Sequence, residues 1–148
     1  MTKKVKAGLV AKVGFVLLWM ALIFWLSGHD ATESSKQSGA VLRTLHESGA
    51  TWLTMHEVRK IAHFLLYMVL GMSLLNLLRA LLKRRHVTYA ILGAALYAIS
   101  DEIHQLFITG RSSELRDVLL DTIGASVGVS IYLLVVRKRG AASEAPTS

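Results

Sequence analysis

This sequence predicts an all-α fold, a bundle of four transmembrane helices with both termini cytoplasmic, and three observations support it. Four apolar stretches, at about 8–27, 61–82, 87–107 and 118–136, each approach the ~20 residues that a spanning helix needs. Backbone groups inside lipid must be satisfied within their own segment, which favours helices, and the one proline, Pro146, falls in the tail where its ring breaks none of them. The basic clusters, finally, recur on one side of a four-span chain. Lys3, Lys4 and Lys6 precede the first stretch, Lys83, Arg84 and Arg85 separate the second from the third, and Arg137, Lys138 and Arg139 follow the fourth. By the positive-inside rule that side is cytoplasmic. With 148 residues and 53% hydrophobic content, the chain holds one membrane domain, 1–139, and a polar tail, 140–148.

The first stretch shares its charged start with a signal peptide. Its apolar run, Val13 to Leu26 extended by Gly8 to Ala11, exceeds the roughly 7–15 residues of a signal h-region, so an uncleaved span is expected. Lys12 can snorkel toward the cytoplasmic headgroups. Between the first and second spans runs the one sizeable polar segment, from Gly28 to about Lys60. Ser34, Ser35 or Ser38 can cap a short helix in which Val41, Leu42 and Leu45 share a face, ended by Ser48-Gly49. Trp52, Leu53 and Met55 then resume apolar character. Two short interfacial helices on the outer leaflet, with Trp52 as an anchor, are expected; a plain connecting loop is the alternative.

The second span opens with Lys60, His63 and Tyr67, whose spacing puts them on one helical face. Near its other end, Asn76 suits an interhelical hydrogen bond and Arg79 a snorkelling position. The third span is the informative one. From Val87 to Ser100 it carries no charge, but that is only roughly 21 Å of helix against about 30 Å of hydrocarbon. The helix must carry Asp101 and Glu102 into the membrane or stop short, and each central charge costs about 2.5–3.5 kcal/mol. Ala90, Ala94 and Ala98 mark a close-packing face that continues through Asp101, Glu102 and Gln105. On the fourth span Asp117 and Asp121 continue likewise into Gly124 and Gly128, a face suited to packing within the bundle or between copies in a homo-oligomer. Glu114 and Arg116 read as a solvated pair.

The formal charge of +7 does not imply nucleic-acid binding, because the basic runs are short, flank apolar spans and lack an aromatic surface for stacking bases. All acids except Glu144 lie in or beside the outer loops and helix ends. The absence of cysteine excludes disulfides, thiolate catalysis and Cys-ligated metal.

Three helix ends therefore converge on the outer side, and a polar pocket is expected there, built from Lys60, His63, Tyr67, Asp101, Glu102, His104, Gln105, Arg111, Asp117 and Asp121. The plainest role is structural: Lys60 and Arg111 neutralise the acids, while His63 and Tyr67 pack between helices. Three chemistries can also use it. The cations can hold the headgroup of a membrane lipid or lipid-linked precursor. A histidine oriented by a carboxylate, His63 or His104 with Asp101 or Asp121, can act as general base on a lipid-linked phosphate or ester. Asp101 and His104 can join Asp117 or Asp121 around a divalent metal, although no known metal spacing is matched and no cofactor is called for. A proton-coupled transporter is a weaker reading, since the acids gather at one side instead of forming a relay.

Arg59-Lys60-Ile61-Ala62-His63-Phe64 with Tyr67, then Asp101-Glu102-Ile103-His104-Gln105-Leu106-Phe107, Gly110-Arg111, and Asp117-Val118-Leu119-Leu120-Asp121-Thr122-Ile123-Gly124-Ala125 with Gly128 resemble the VanZ-like family. Phe24-Trp25-Leu26-Ser27 and the serine-rich loop after it are similar too, except that Gly28-His29 replaces the serine and glutamine of many members. The resemblance implies a small, multi-pass protein of the bacterial cell membrane. It also implies a neighbourhood in which the namesake lowers susceptibility to glycopeptide antibiotics such as teicoplanin without making altered peptidoglycan termini.

Overall fold

In the computed structural model the described residues are 3–28, 31–51, 54–82, 86–108 and 114–143; the expectations for Trp52 and Arg111 lie outside them. These residues form five helices and no strand: α1 (Lys3–Ser27), α2 (Ala31–Glu47), α3 (Met55–Leu82), α4 (Val87–Gln105) and α5 (Leu115–Ser143). α1, α3 and α5 are each long and apolar enough to cross a membrane, over Lys6–Ser27, His56–Leu82 and Leu115–Arg137. α4 has 19 residues, with Asp101, Glu102 and His104 in its last turns, and is not among these three.

Local signals set the helix limits. α2, 17 residues long, is the first of the two short helices expected between the spans, and it ends as the Ser48-Gly49 signal implies. Gly49 adopts φ 99°, Ala50 N donates to the Leu45 carbonyl at 2.9 Å and Gly49 N to that of His46 at 3.0 Å. This is the left-handed cap that glycine adopts without a Cβ penalty. α3 starts six residues before the expected 61, because Thr54 and Glu57 form a reciprocal cap: Glu57 N donates to Thr54 Oγ1 at 3.3 Å and Thr54 N to Glu57 Oε2 at 2.6 Å. The second amphipathic turn is thus the first turn of α3.

α3 is the central element and packs against each of the other four, most extensively α5. The α3–α5 contact is made by backbones. A Cβ at Gly128 would fall on the Met68 carbonyl oxygen, one at Gly71 on the Ala125 carbonyl oxygen, and one at Gly124 would lie 2.5 Å from the Phe64 carbonyl oxygen. Between lipid-bathed helices no hydrophobic force drives association, so close approach at small residues supplies the dispersion contact. The Gly124–Gly128 face is accordingly covered by α3 of the same chain. α4 buries Ala90, Ala94, Ala98, Asp101, Glu102 and Gln105, the line that its four-residue spacing predicts. Outward-facing positions stay apolar, among them Leu18, Trp25, Leu96 and Leu134.

Hydrogen bonds fix α1 on this core. Trp19 Nε1 donates to the Leu66 carbonyl at 2.9 Å and the Tyr97 hydroxyl donates to that of Met20 at 2.6 Å. At the Lys12 end, Lys12 Nζ donates to Asn76 Oδ1 at 2.8 Å, and the Tyr132 hydroxyl donates to the same atom at 3.0 Å. Asn76 bonds between helices as expected. Lys12 thus bonds to Asn76, and Arg79 lies over the Tyr132 ring, 5.5 Å from its centroid.

Candidate functional site

Four helix ends meet where the sequence places its acids: the last turn of α1, the first turns of α3 and α5, and the last turns of α4. Asp101 is at the centre, 2% exposed. Its Oδ1 accepts from the Ser27 hydroxyl at 2.5 Å, and its Oδ2 accepts from Gln105 Nε2, one turn on, at 3.4 Å. His63 Nδ1 lies 3.9 Å from Asp101 Oδ2 and 3.6 Å from Asp121 Oδ2. One imidazole is thereby set between two buried carboxylates, Asp121 being 1% exposed.

Beside this centre, Lys60 Nζ lies 2.7 Å from Asp117 Oδ1 and 3.6 Å from Glu114 Oε2. These groups are part-exposed, so the pair forms the rim. Spacing explains the arrangement: Lys60 and His63 sit one turn apart on α3, Asp117 and Asp121 one turn apart on α5, and the two helices present them in matching order. Glu102 has a different task. Its Oε2 accepts from the backbone N–H of Glu114 at 3.0 Å, just ahead of α5. A carboxylate there satisfies an otherwise orphaned donor and meets the positive end of the helix dipole.

Tyr67 is fully buried, and its ring lies 6.2 Å from that of Tyr97. Its hydroxyl, together with Asp121 Oδ1 and His104 Nδ1, has no hydrogen-bond partner among the described residues. His104 stacks on Phe24, ring centroids 4.0 Å apart. Among the described residues no three His, Asp or Glu side chains form a group that could hold a metal ion.

The structure thus brings together Lys60, His63, Tyr67, Asp101, Gln105, Asp117 and Asp121, gives Glu102 to the start of α5 and sets His104 against Phe24. Two members were not anticipated. Ser27 is separated from Asp101 by 74 positions, a pairing without local periodicity to announce it. Glu114 pairs with Lys60 across the α3–α5 contact where a solvated pair with Arg116 was expected; an i, i+2 pair on a helix does not face itself.

No curated protein and no solved structure matches the chain. A family model, VanZ/LLP1, matches residues 12–136, which hold the whole cluster; the chain belongs to the VanZ/LLP1 family.

Proposed function

We propose that the chain is a four-span protein of the bacterial cell membrane, both termini cytoplasmic, whose acid-rich cluster opens toward the outer face and binds the headgroup of a lipid or lipid-linked envelope precursor. α4 then crosses as the fourth span, with Asp101 and Glu102 kept from lipid by α1, α3 and α5. The observation that carries the reading is His63 between the carboxylates of Asp101 and Asp121, with Asp121 Oδ1 and the Tyr67 hydroxyl lacking a partner among the described residues. Ionisable groups this costly to bury in a membrane mark ligand sites by default, and an unmet acceptor costs about 1–3 kcal/mol until a donor reaches it. Sugar, amide or ammonium donors of a headgroup meet the carboxylates, and a phosphate meets Lys60. A glycopeptide antibiotic carries the same kinds of donor, and modulation of glycopeptide susceptibility is the corresponding physiological role.

Native mass spectrometry of protein extracted gently from its own membrane tests this. A retained envelope lipid that disappears in Asp121→Asn and His63→Ala, both still inserted, is the expected result. Retention unchanged in both variants overturns the reading.

The same geometry favours one second reading, an enzyme acting on a lipid-linked phosphate or ester. His63, oriented by Asp101 and Asp121, is then the general base. Turnover in reconstituted membranes, lost in His63→Gln, separates it from binding alone. Proton-coupled transport gains no such support, because Leu70, Leu75, Ala90, Ala94 and Val129 fill the interior between the two polar ends.

A further inference from the structure

At the bundle end remote from the acids, a second polar group joins three helices. Lys12 of α1 and Tyr132 of α5 both donate to Asn76 Oδ1 of α3, at 2.8 and 3.0 Å, and Arg79 lies over the Tyr132 ring. Both lone pairs of that oxygen are therefore used. Asn76 offers one further acceptor, its carbonyl, 3.5 Å from Lys12 Nζ. Every partner of the two cations is neutral: among the described residues, no carboxylate pairs with Lys12 or Arg79, and the ion pairs lie at the opposite end.

An ammonium six residues inside the apolar stretch Lys6–Ser27 is costly without a counter-charge. α1 and α5 both pack on α3, and Lys12 of the one and Tyr132 of the other meet over Asn76. Exposed Val10, Val13, Leu134 and Val135 lie on the same two helices and present apolar surface to acyl chains. Basic groups between spanning helices hold anionic lipid headgroups, and a guanidinium matches two phosphate oxygens at once.

The geometry points to a phospholipid-phosphate site at this end, in which Lys12 and Arg79 hold the phosphate of an anionic lipid, Asn76 aims the Lys12 ammonium and Tyr132 spaces the two cations. It rests on α1, α3 and α5 being membrane spans and is independent of any ligand at the acid cluster. The occupant is a lipid, since the exposed apolar side chains of these two helices give a free phosphate nothing.

The whole protein, taken from vesicles of mixed phosphatidylglycerol and phosphatidylcholine, is examined by native mass spectrometry. Wild type is expected to retain phosphatidylglycerol over phosphatidylcholine, and Lys12→Met with Arg79→Met to lose that preference by about tenfold or more, two charge-assisted contacts being removed. Asn76→Asp guards against misfolding as the cause: it gives Lys12 a carboxylate within the chain, so it is expected to lower retention while thermal stability holds. Arg137→Gln, an exposed cation of α5, is expected to leave retention unchanged. Equal retention of the two lipids by wild type, undiminished retention in the double variant or in Asn76→Asp, or an equal loss in Arg137→Gln overturns the site. Displacement of the lipid by inorganic phosphate as effectively as by added phosphatidylglycerol overturns the assignment to a lipid.

Discussion

The Ser27 hydroxyl donates to Asp101 Oδ1 across 2.5 Å, which ties the end of α1 to the end of α4 at the buried centre of the acid cluster. α1 and α4 also meet where the Tyr97 hydroxyl donates to the Met20 carbonyl and where His104 stacks on Phe24, and this bond is the one that reaches the buried carboxylate. Ser27→Ala leaves a buried carboxylate oxygen short of a donor and is expected to cost about 1–3 kcal/mol. Pairing it with Asp101→Ala in a double-mutant cycle, read by thermal unfolding in detergent, is expected to give a coupling of about 0.5–3 kcal/mol. Strictly additive losses would mean that the two side chains act independently.

His63 faces Asp101 and Asp121 together, and its removal leaves both carboxylates without it. Taking one partner from a buried charged group costs ~3–5 kcal/mol, so His63→Leu is expected to lower the melting temperature clearly. Asp121→Asn added to His63→Leu removes the charge that lost its partner and is expected to recover part of the loss. A double variant less stable than His63→Leu would show that the His63–Asp121 contact is not what holds these ends together.

Gly128 receives the Met68 carbonyl where a Cβ would stand, whereas Gly14 has nothing within 4 Å of that position. Backbone cannot rotate away as a side chain can, so Gly128→Ala must separate α3 from α5, at an overpacking cost of about 1–3 kcal/mol. Gly14→Ala is expected to be neutral or to stabilise by up to about 1 kcal/mol, from helix propensity alone. Equal melting temperatures for the two variants would contradict the close α3–α5 approach.

What could be read from the sequence follows from the range over which each signal acts. Ala90, Ala94 and Ala98 lead into Asp101, Glu102 and Gln105 because one helix imposes a single period on all six, and the structure buries that line. Lys60, His63 and Tyr67 share a face of α3 for the same reason. Ser27 with Asp101, Glu114 with Lys60, and Lys12 with Asn76 are encounters between helices. Nothing at a fixed offset announces them; they depend on how the helices cross, which for α3 and α5 is set by Gly71, Gly124 and Gly128. The Glu102 contact to the start of α5 lies between these cases: an acid near a helix start is an ordinary preference, but which helix it serves depends on how the 109–113 connection returns the chain.

Whether α4 crosses the membrane decides which side each loop faces, and the chain suits a direct test because it contains no cysteine. With four spans, single cysteines at Thr51→Cys and Ser112→Cys lie on the outer side, while Arg84→Cys and Ala142→Cys lie inside, where the basic clusters place them. If only α1, α3 and α5 cross, Arg84→Cys and Ser112→Cys share the inner side and Ala142→Cys moves out. Labelling of intact cells with a membrane-impermeant maleimide is therefore expected to mark Thr51→Cys and Ser112→Cys and to spare the other two until the membrane is opened. Labelling of Ala142→Cys in intact cells with Ser112→Cys protected would remove the fourth span. The starts of α3 and α5, which carry Lys60 and Asp117 of the acid cluster, would then be assigned to opposite faces, and the cluster could not open outward as proposed.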